Sequence, residues 1–146
     1  MRKLKAILLS CVLTLTAVGC SVKEDAKEDK TKVTLVLSVG GVNDESFNQS
    51  SWEGALKASE ELGVEVSYLE SQSDADYIQN IETAVEDSDL IVGVGYQVGG
   101  AILEAAKMYP EQNFVAIDST FEEEWDNLRS ITCEEEEAGY LTGLIA

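Results

Sequence analysis

From residue 33 onward, short runs that are apolar throughout alternate with longer stretches that are apolar on one side only. Residues 33–39 (Val33-Thr34-Leu35-Val36-Leu37-Ser38-Val39) predict a buried strand stopped by Gly40-Gly41. A helix is expected from about Phe47, with Trp52, Leu56, Ser59 and Leu62 on one stripe and Gly63 as its C-terminal stop. Residues 64–69 form the second predicted strand, and Asp74 is the expected N-cap of a helix carrying Ile78, Ile81 and Val85. Residues 90–94 are a third, fully apolar strand; Ala101, Ile102, Ala105 and Met108 mark the next helix, closed by Pro110. Residues 114–118 and 128–133 complete five strands, and a last amphipathic helix starts near Glu134.

Strands apolar on both sides, separated by helices, imply a parallel sheet covered on both faces. Right-handed crossovers then predict a three-layer, doubly wound α/β lobe with five parallel strands in the order 2-1-3-4-5. In such sheets ligands bind beyond the carboxyl ends of the strands. That rule selects three loops: residues 40–46, 95–100 and 118–126.

The first 32 residues follow a different pattern. Arg2, Lys3 and Lys5 precede an apolar run from Ala6 to Val18, which ends at Gly19-Cys20. The run is shorter than the about 20 residues a spanning helix needs, and fits the core of a signal peptide over residues 1–19. Leu15-Thr16-Ala17-Val18-Gly19-Cys20 resembles a bacterial lipobox, in which a peptidase cuts before a cysteine whose thiol carries a diacylglycerol; Ala17 replaces the usual leucine. Cys20 is thus the expected lipidation site, the alternative being ordinary cleavage beside an incidental cysteine. Residues 20–32, rich in Lys, Glu and Asp, read as a flexible charged stalk. The ligand-binding lobe is then residues 33–146.

Charge and cysteine content narrow the function. The net charge is −18, and because acids and lysines balance in the stalk, the negative excess belongs to the lobe. Such a surface repels phosphate backbones and argues against nucleic acid as a partner. The chain has no histidine, which removes Ser-His-Asp and Cys-His catalysis and the usual zinc sets; no metal or cofactor is expected, and no enzyme activity. Cys11 and Cys20 lie in or beside the leader, leaving Cys133 to be read as a small buried residue of the fifth strand.

Residues 40–49, Gly40-Gly41-Val42-Asn43-Asp44-Glu45-Ser46-Phe47-Asn48-Gln49, carry the most chemistry. The glycine pair permits a tight turn, Asn43 offers donor and acceptor, Asp44 offers acceptors, and Phe47 offers a stacking face. The same stretch also fits a capping box, with Ser46 as N-cap and Gln49 three positions into the helix. Both readings stand at this point. Gly93-Val94-Gly95 with Gly99-Gly100 lacks the spacing and lysine of a phosphate loop and reads as a ligand-facing turn. The acidic runs 122–124 and 134–137 read as solvated surface.

The motif from Gly40 to Gln49, followed by Trp52-Glu53-Gly54, Ala116-Ile117-Asp118 and Glu137-Ala138-Gly139-Tyr140-Leu141-x-Gly143, resembles the basic membrane protein (BMP) family of lipoproteins. These are purine-nucleoside receptors of ABC importers with a type I periplasmic-binding fold. The resemblance implies that Asn43 and Asp44 meet the base, that Phe47 stacks on it, that Asn48 joins this set, and that Asp118 takes ribose hydroxyls. Two departures are visible. Ser38 replaces the aspartate two residues before the glycine pair. The chain also stops at Ala146, where the first of two lobes would cross to the second, so it is expected to be the N-terminal lobe alone. The implied partners are a purine nucleoside, the permease of the same system, and a membrane reached through the lipid on Cys20, on its extracytoplasmic face. The alternative is a membrane-tethered sensor of the same fold that acts through a protein partner.

Overall fold

A computed structural model describes residues 30–145. The expected leader, Cys20 and most of the expected stalk lie outside the described residues. The sheet begins slightly earlier than the stalk reading allowed: the Thr31 carbonyl accepts the Glu65 N–H, and the Lys32 N–H donates to Asp89 Oδ2 at 2.7 Å.

In chain order the elements are β1 (Lys32–Leu37), α1 (Phe47–Leu62), β2 (Glu65–Leu69), α2 (Asp76–Val85), β3 (Leu90–Val94), α3 (Tyr96–Met108), β4 (Asn113–Ile117), β5 (Leu128–Ile131) and α4 (Glu135–Ile145). The five strands are all parallel, in the order β2-β1-β3-β4-β5, as the sequence pattern predicts. Central β1 and β3 pair from Val33↔Leu90 to Leu37↔Val94. Their side chains alternate between two cores, because successive residues of a strand face opposite ways. Val36 and Ile91 pack with Ile81 of α2, Val98 and Ile102 of α3, and Phe114. Leu35, Leu37 and Val94 pack with Trp52 and Ala55 of α1 and with Ile117. Each large side chain buried in this way contributes about 1.5–3 kcal/mol.

Helix α1 touches the sheet along a narrower line than the expected stripe. Trp52 and Ala55 reach the core, and Trp52 meets Tyr68 edge-to-face at 4.8 Å, while Leu56 and Leu62 are exposed. Gly63 stops the helix as predicted: its φ of 74° is left-handed and its N–H returns to the Ser59 carbonyl. Asp74 does not cap α2. No side chain caps α2; Asp76 in its first turn instead ties down the preceding loop, its Oδ2 accepting the Gln72 and Ser73 N–H groups at 2.9 Å each. Met108, which marks this helix in the sequence, lies exposed at the end of α3. β5 is also shorter than predicted, and Cys133 follows it as an exposed free thiol rather than a buried strand residue. The pairing of β5 with β4 ends at Ile117↔Ile131.

Candidate functional site

The loop after β1 is built around two side chains that never leave it. Asn48, the second residue of α1, is fully buried. Its Oδ1 accepts the Ser38 N–H at 3.2 Å and the Ser38 hydroxyl at 3.1 Å, and its Nδ2 donates to the carbonyls of Ser38 and Gly41 at 3.0 and 3.2 Å. Its amide is therefore fully engaged inside the protein. Asn48 holds the end of β1 against the start of α1. Gly40 and Gly41, with φ of 127° and 73°, make the turn that this clamp requires.

Asp44 is the cap of α1. One carboxylate oxygen accepts the Ser46 and Gln49 N–H groups at 2.9 and 3.0 Å, and the other accepts the Asn48 N–H at 3.1 Å. The expected capping box is not formed: Ser46 makes no side-chain cap bond, and the Gln49 side chain donates to Glu53. An aspartate two residues before the N-cap reaches all three N–H groups because Glu45 takes a left-handed φ of 53°. Partial burial works to raise the Asp44 carboxyl, and the N–H groups of Gln49, Ser46 and Asn48 outweigh it, so the net shift is downward. Asn43 is exposed beside this cap, and Phe47, the first residue of α1, keeps 41% of its surface exposed.

Asp118 follows β4 at the same carboxyl edge, two strands from β1. Its φ of 62° is left-handed, and its N–H donates to the Ile131 carbonyl at 2.7 Å. A carboxyl not singled out in the sequence stands beside it. Glu135, at the start of α4, is pushed upward by a hydrogen bond to Asp118 and by its negative charge. The only sequence signal for that pair was the alignment of β5 with β4, which brings the residues after Ile131 back toward Asp118. Between the two loops lies a groove of about 410 Å³ lined by Ser46, Phe47, Ser50, Ser51, Ile117 and Cys133.

The third loop selected from the sequence is mostly helix. Gly95, with φ 91°, turns β3 directly into α3, so residues 96–100 form its first turns rather than an open loop. The glycines there serve packing. A Cβ on Gly93 would collide with Ile102 of α3, and one on Gly99 with Ser119. α3 approaches the sheet at Gly93, and the loop after β4 at Gly99, too closely for a side chain.

Residues 30–146 match the family described as ABC transporter substrate-binding protein PnrA-like (Bmp). The chain belongs to the Bmp family. This Bmp chain is 38% identical over 153 residues to the CD4+ T-cell-stimulating antigen of Listeria innocua, covering 97% of the chain and 42% of the relative. It is 37% identical over 120 residues to the ABC transporter nucleoside-binding protein BmpA of Lactococcus lactis, covering 79% of the chain and 34% of that protein. Among solved structures, the ABC transporter solute-binding protein of Aeropyrum pernix K1 superposes with a TM-score of 0.74 at 37% identity, over 80% of the chain and 32% of that structure. The Bmp chain thus spans about two-fifths of the length of the Listeria relative.

Proposed function

We propose that this chain is the N-terminal lobe of a lipid-anchored receptor that binds purine nucleosides in a cleft between two lobes and delivers them to an ABC permease. The observation that carries this reading is membership of a substrate-binding family in which the Lactococcus lactis relative is named as nucleoside-binding. The edge geometry supports it. Asn43 offers both donor and acceptor to a heterocycle, Phe47 offers an exposed ring, and Asp118 offers acceptors for vicinal hydroxyls two strands away. Adjacent strands lie about 4.8 Å apart, so the two strand ends are separated by about 10 Å, the span of a nucleoside from base to ribose. Asp44 takes part through its position rather than through free acceptors, since three N–H groups already hold its carboxylate. Anchoring at Cys20 would place the lobe on the extracytoplasmic face, in line with relatives that carry the name lipoprotein.

The test is a heteronuclear NMR titration of the chain with guanosine, inosine, uridine and guanine in excess. Purine nucleosides should shift amides in residues 40–48 and 117–119, and uridine should shift them less. Shifts scattered over the surface, or equal responses to all four compounds, would overturn the reading.

A further inference from the structure

Helix α4 leaves its apolar side unused. Every residue from Glu135 to Ile145 is exposed, and Tyr140, Leu141, Leu144 and Ile145 keep between 59% and 88% of their surface in solvent. Leu141 stands three and four positions before Leu144 and Ile145, and Tyr140 four before Leu144, so the four side chains form one stripe. An isolated helix of 11 residues is marginal in water, and this one contains Gly139 and Gly143. α4 therefore needs a surface to pack on.

The sheet offers one beside α1. Among the described residues, the core on that side takes helix side chains from α1 alone. The register Val115↔Arg129 and Ile117↔Ile131 puts Val115, Ile117 and Ile131 on the same side, beyond the reach of α1. Val115 and Ile117 are half-buried and Ile131 is 51% exposed, while Arg129 turns its guanidinium to the Trp125 and Leu128 carbonyls. The flank of α1 that borders this strip carries Phe47, Ser50, Ser51 and Gly54 at helical spacing, and a Cβ on Gly54 would meet open space. The groove of about 410 Å³ lined by Phe47, Ser50, Ser51, Ile117 and Cys133 is the carboxyl end of the same trough.

Position and length match the helix to the trough. Only residues 132–134 separate β5 from α4, and Cys133 among them lines the groove, so α4 starts at its mouth. The first residue of α4, Glu135, is hydrogen-bonded to Asp118. The 11 residues of α4 span about 16 Å, and the five residues of β4 rise about 16 Å, so a helix folded back along β4 runs the length of the strand.

We propose that α4 folds back beside α1 as a strap, its apolar stripe on Val115, Ile117 and Ile131 and its first turn across the groove between Phe47 and Asp118. The strap itself stands on the trough and the helix alone. Its consequence rests on the nucleoside reading above: the closed strap holds the ring and the carboxylate assigned to base and ribose, so strap and nucleoside exclude each other. Only the open fraction of the lobe then binds, and apparent affinity falls by that fraction.

The experiment is methyl NMR of the chain, without ligand and then with guanosine. Nuclear Overhauser contacts should join the Leu141 and Leu144 methyls to those of Val115, Ile117 and Ile131. The double variant Leu141→Asp, Leu144→Asp should lose them and bind guanosine about threefold or more tighter than the parent, as expected when a form closed two-thirds of the time is abolished. Thr142→Asp adds a charge off the stripe and should stay within about twofold of the parent, with the contacts intact. Absence of the methyl contacts in the parent would overturn the strap. So would contacts found only between differently labelled copies, which would give the trough to a second chain. Contacts present but guanosine bound equally by the parent and the double variant would overturn the closure of the site. Should neither bind guanosine, the nucleoside reading falls and the methyl contacts alone decide the strap.

Discussion

Asn48 and Ser38 close on each other through three hydrogen bonds: the Ser38 N–H and hydroxyl both donate to Asn48 Oδ1, and Asn48 Nδ2 donates back to the Ser38 carbonyl. A fourth bond, to the Gly41 carbonyl, ties the same amide to the glycine turn. Both side chains are buried, so removing the amide leaves backbone groups of Ser38 without those partners and away from water. Asn48→Leu is expected to destabilise the lobe by about 1–3 kcal/mol for each group stranded, measured by urea unfolding. Ser38→Ala removes only a hydroxyl and leaves the backbone bonds in place, and should cost less. Equal losses in the two variants would contradict this division of labour.

Asp44 and Ser46 make a second contrast. Asp44→Ala should lower stability by about 0.5–2 kcal/mol, the usual cost of a lost helix cap, whereas Ser46→Ala should be close to neutral because Ser46 makes no cap bond. The pH dependence has a definite sign. The folded-state carboxyl lies below its ordinary 3.8, so its contribution is complete above that value and is lost as the pH falls through the lower folded value. Asp44→Ala should therefore unfold with a shallower acid limb than the parent below about pH 4. An unchanged acid limb would show that the cap bonds carry no linkage.

The glycines of β3 and α3 separate packing from permissiveness. Gly93→Ala and Gly99→Ala drive a methyl group into Ile102 and Ser119, and each is expected to cost about 1–3 kcal/mol. Gly100, one residue on, has open space around its Cβ position, so Gly100→Ala should stabilise α3 by about 0.5–1 kcal/mol. Denaturation midpoints that move the same way in all three variants would refute the account.

These contrasts show what a single sequence reveals and what it conceals. The strand order was legible because β1 and β3 carry apolar side chains on both faces and the crossovers between the first four strands each contain a helix with a recognisable period. The start of α1 was legible as a place, but the capping chemistry was not. Ser46 stands at the N-cap position, yet the backbone turns through a left-handed Glu45, which lets Asp44 reach the N–H groups instead. Local propensity names the residue types suited to a cap; the turn decides which one arrives. Asn48 shows the same limit at the candidate site. A polar residue in a ligand-like motif and a polar residue buried to tie a loop have identical spelling, and only the partners of its amide tell them apart. Gly95 and Gly99 were read as part of a ligand loop because close helix–sheet packing and tight turns both call for glycine.

Cys20 is expected to be the lipid-modified first residue of the mature protein. Mass spectrometry of protein from its own membrane should find Cys20 at the N-terminus carrying a diacylglycerol, and Cys20→Ala should yield an uncleaved or released form. A mature chain that begins downstream of Cys20 and carries no lipid would dispose of the anchor.

Phe47 and Asp118 are expected to fail differently when altered. Phe47 opens α1 with an exposed ring and makes no core contact, so Phe47→Ala should leave the fold unchanged. If the ring stacks on the base, the substitution weakens guanosine, inosine and free guanine alike, by about 1–3 kcal/mol. Asp118 ends β4 in a left-handed conformation beside Glu135, and its role in the proposed site is to accept ribose hydroxyls. Asp118→Asn keeps the size of the side chain and removes the charge, so it should penalise nucleosides while free guanine binds as before, the loss being about 1.5–3 kcal/mol for charge-assisted bonds. It should also return the Glu135 carboxyl toward its ordinary range, because the raised state of Glu135 depends first on the hydrogen bond with Asp118 and then on its charge. Carbon-detected NMR of the Glu135 carboxyl through an acid titration reads that shift without any ligand present. Free guanine losing as much affinity as guanosine in Asp118→Asn would move the carboxylate from the ribose to the base. If Phe47→Ala bound every compound as well as the parent, the ring would be no more than the first residue of a helix that Asp44 caps.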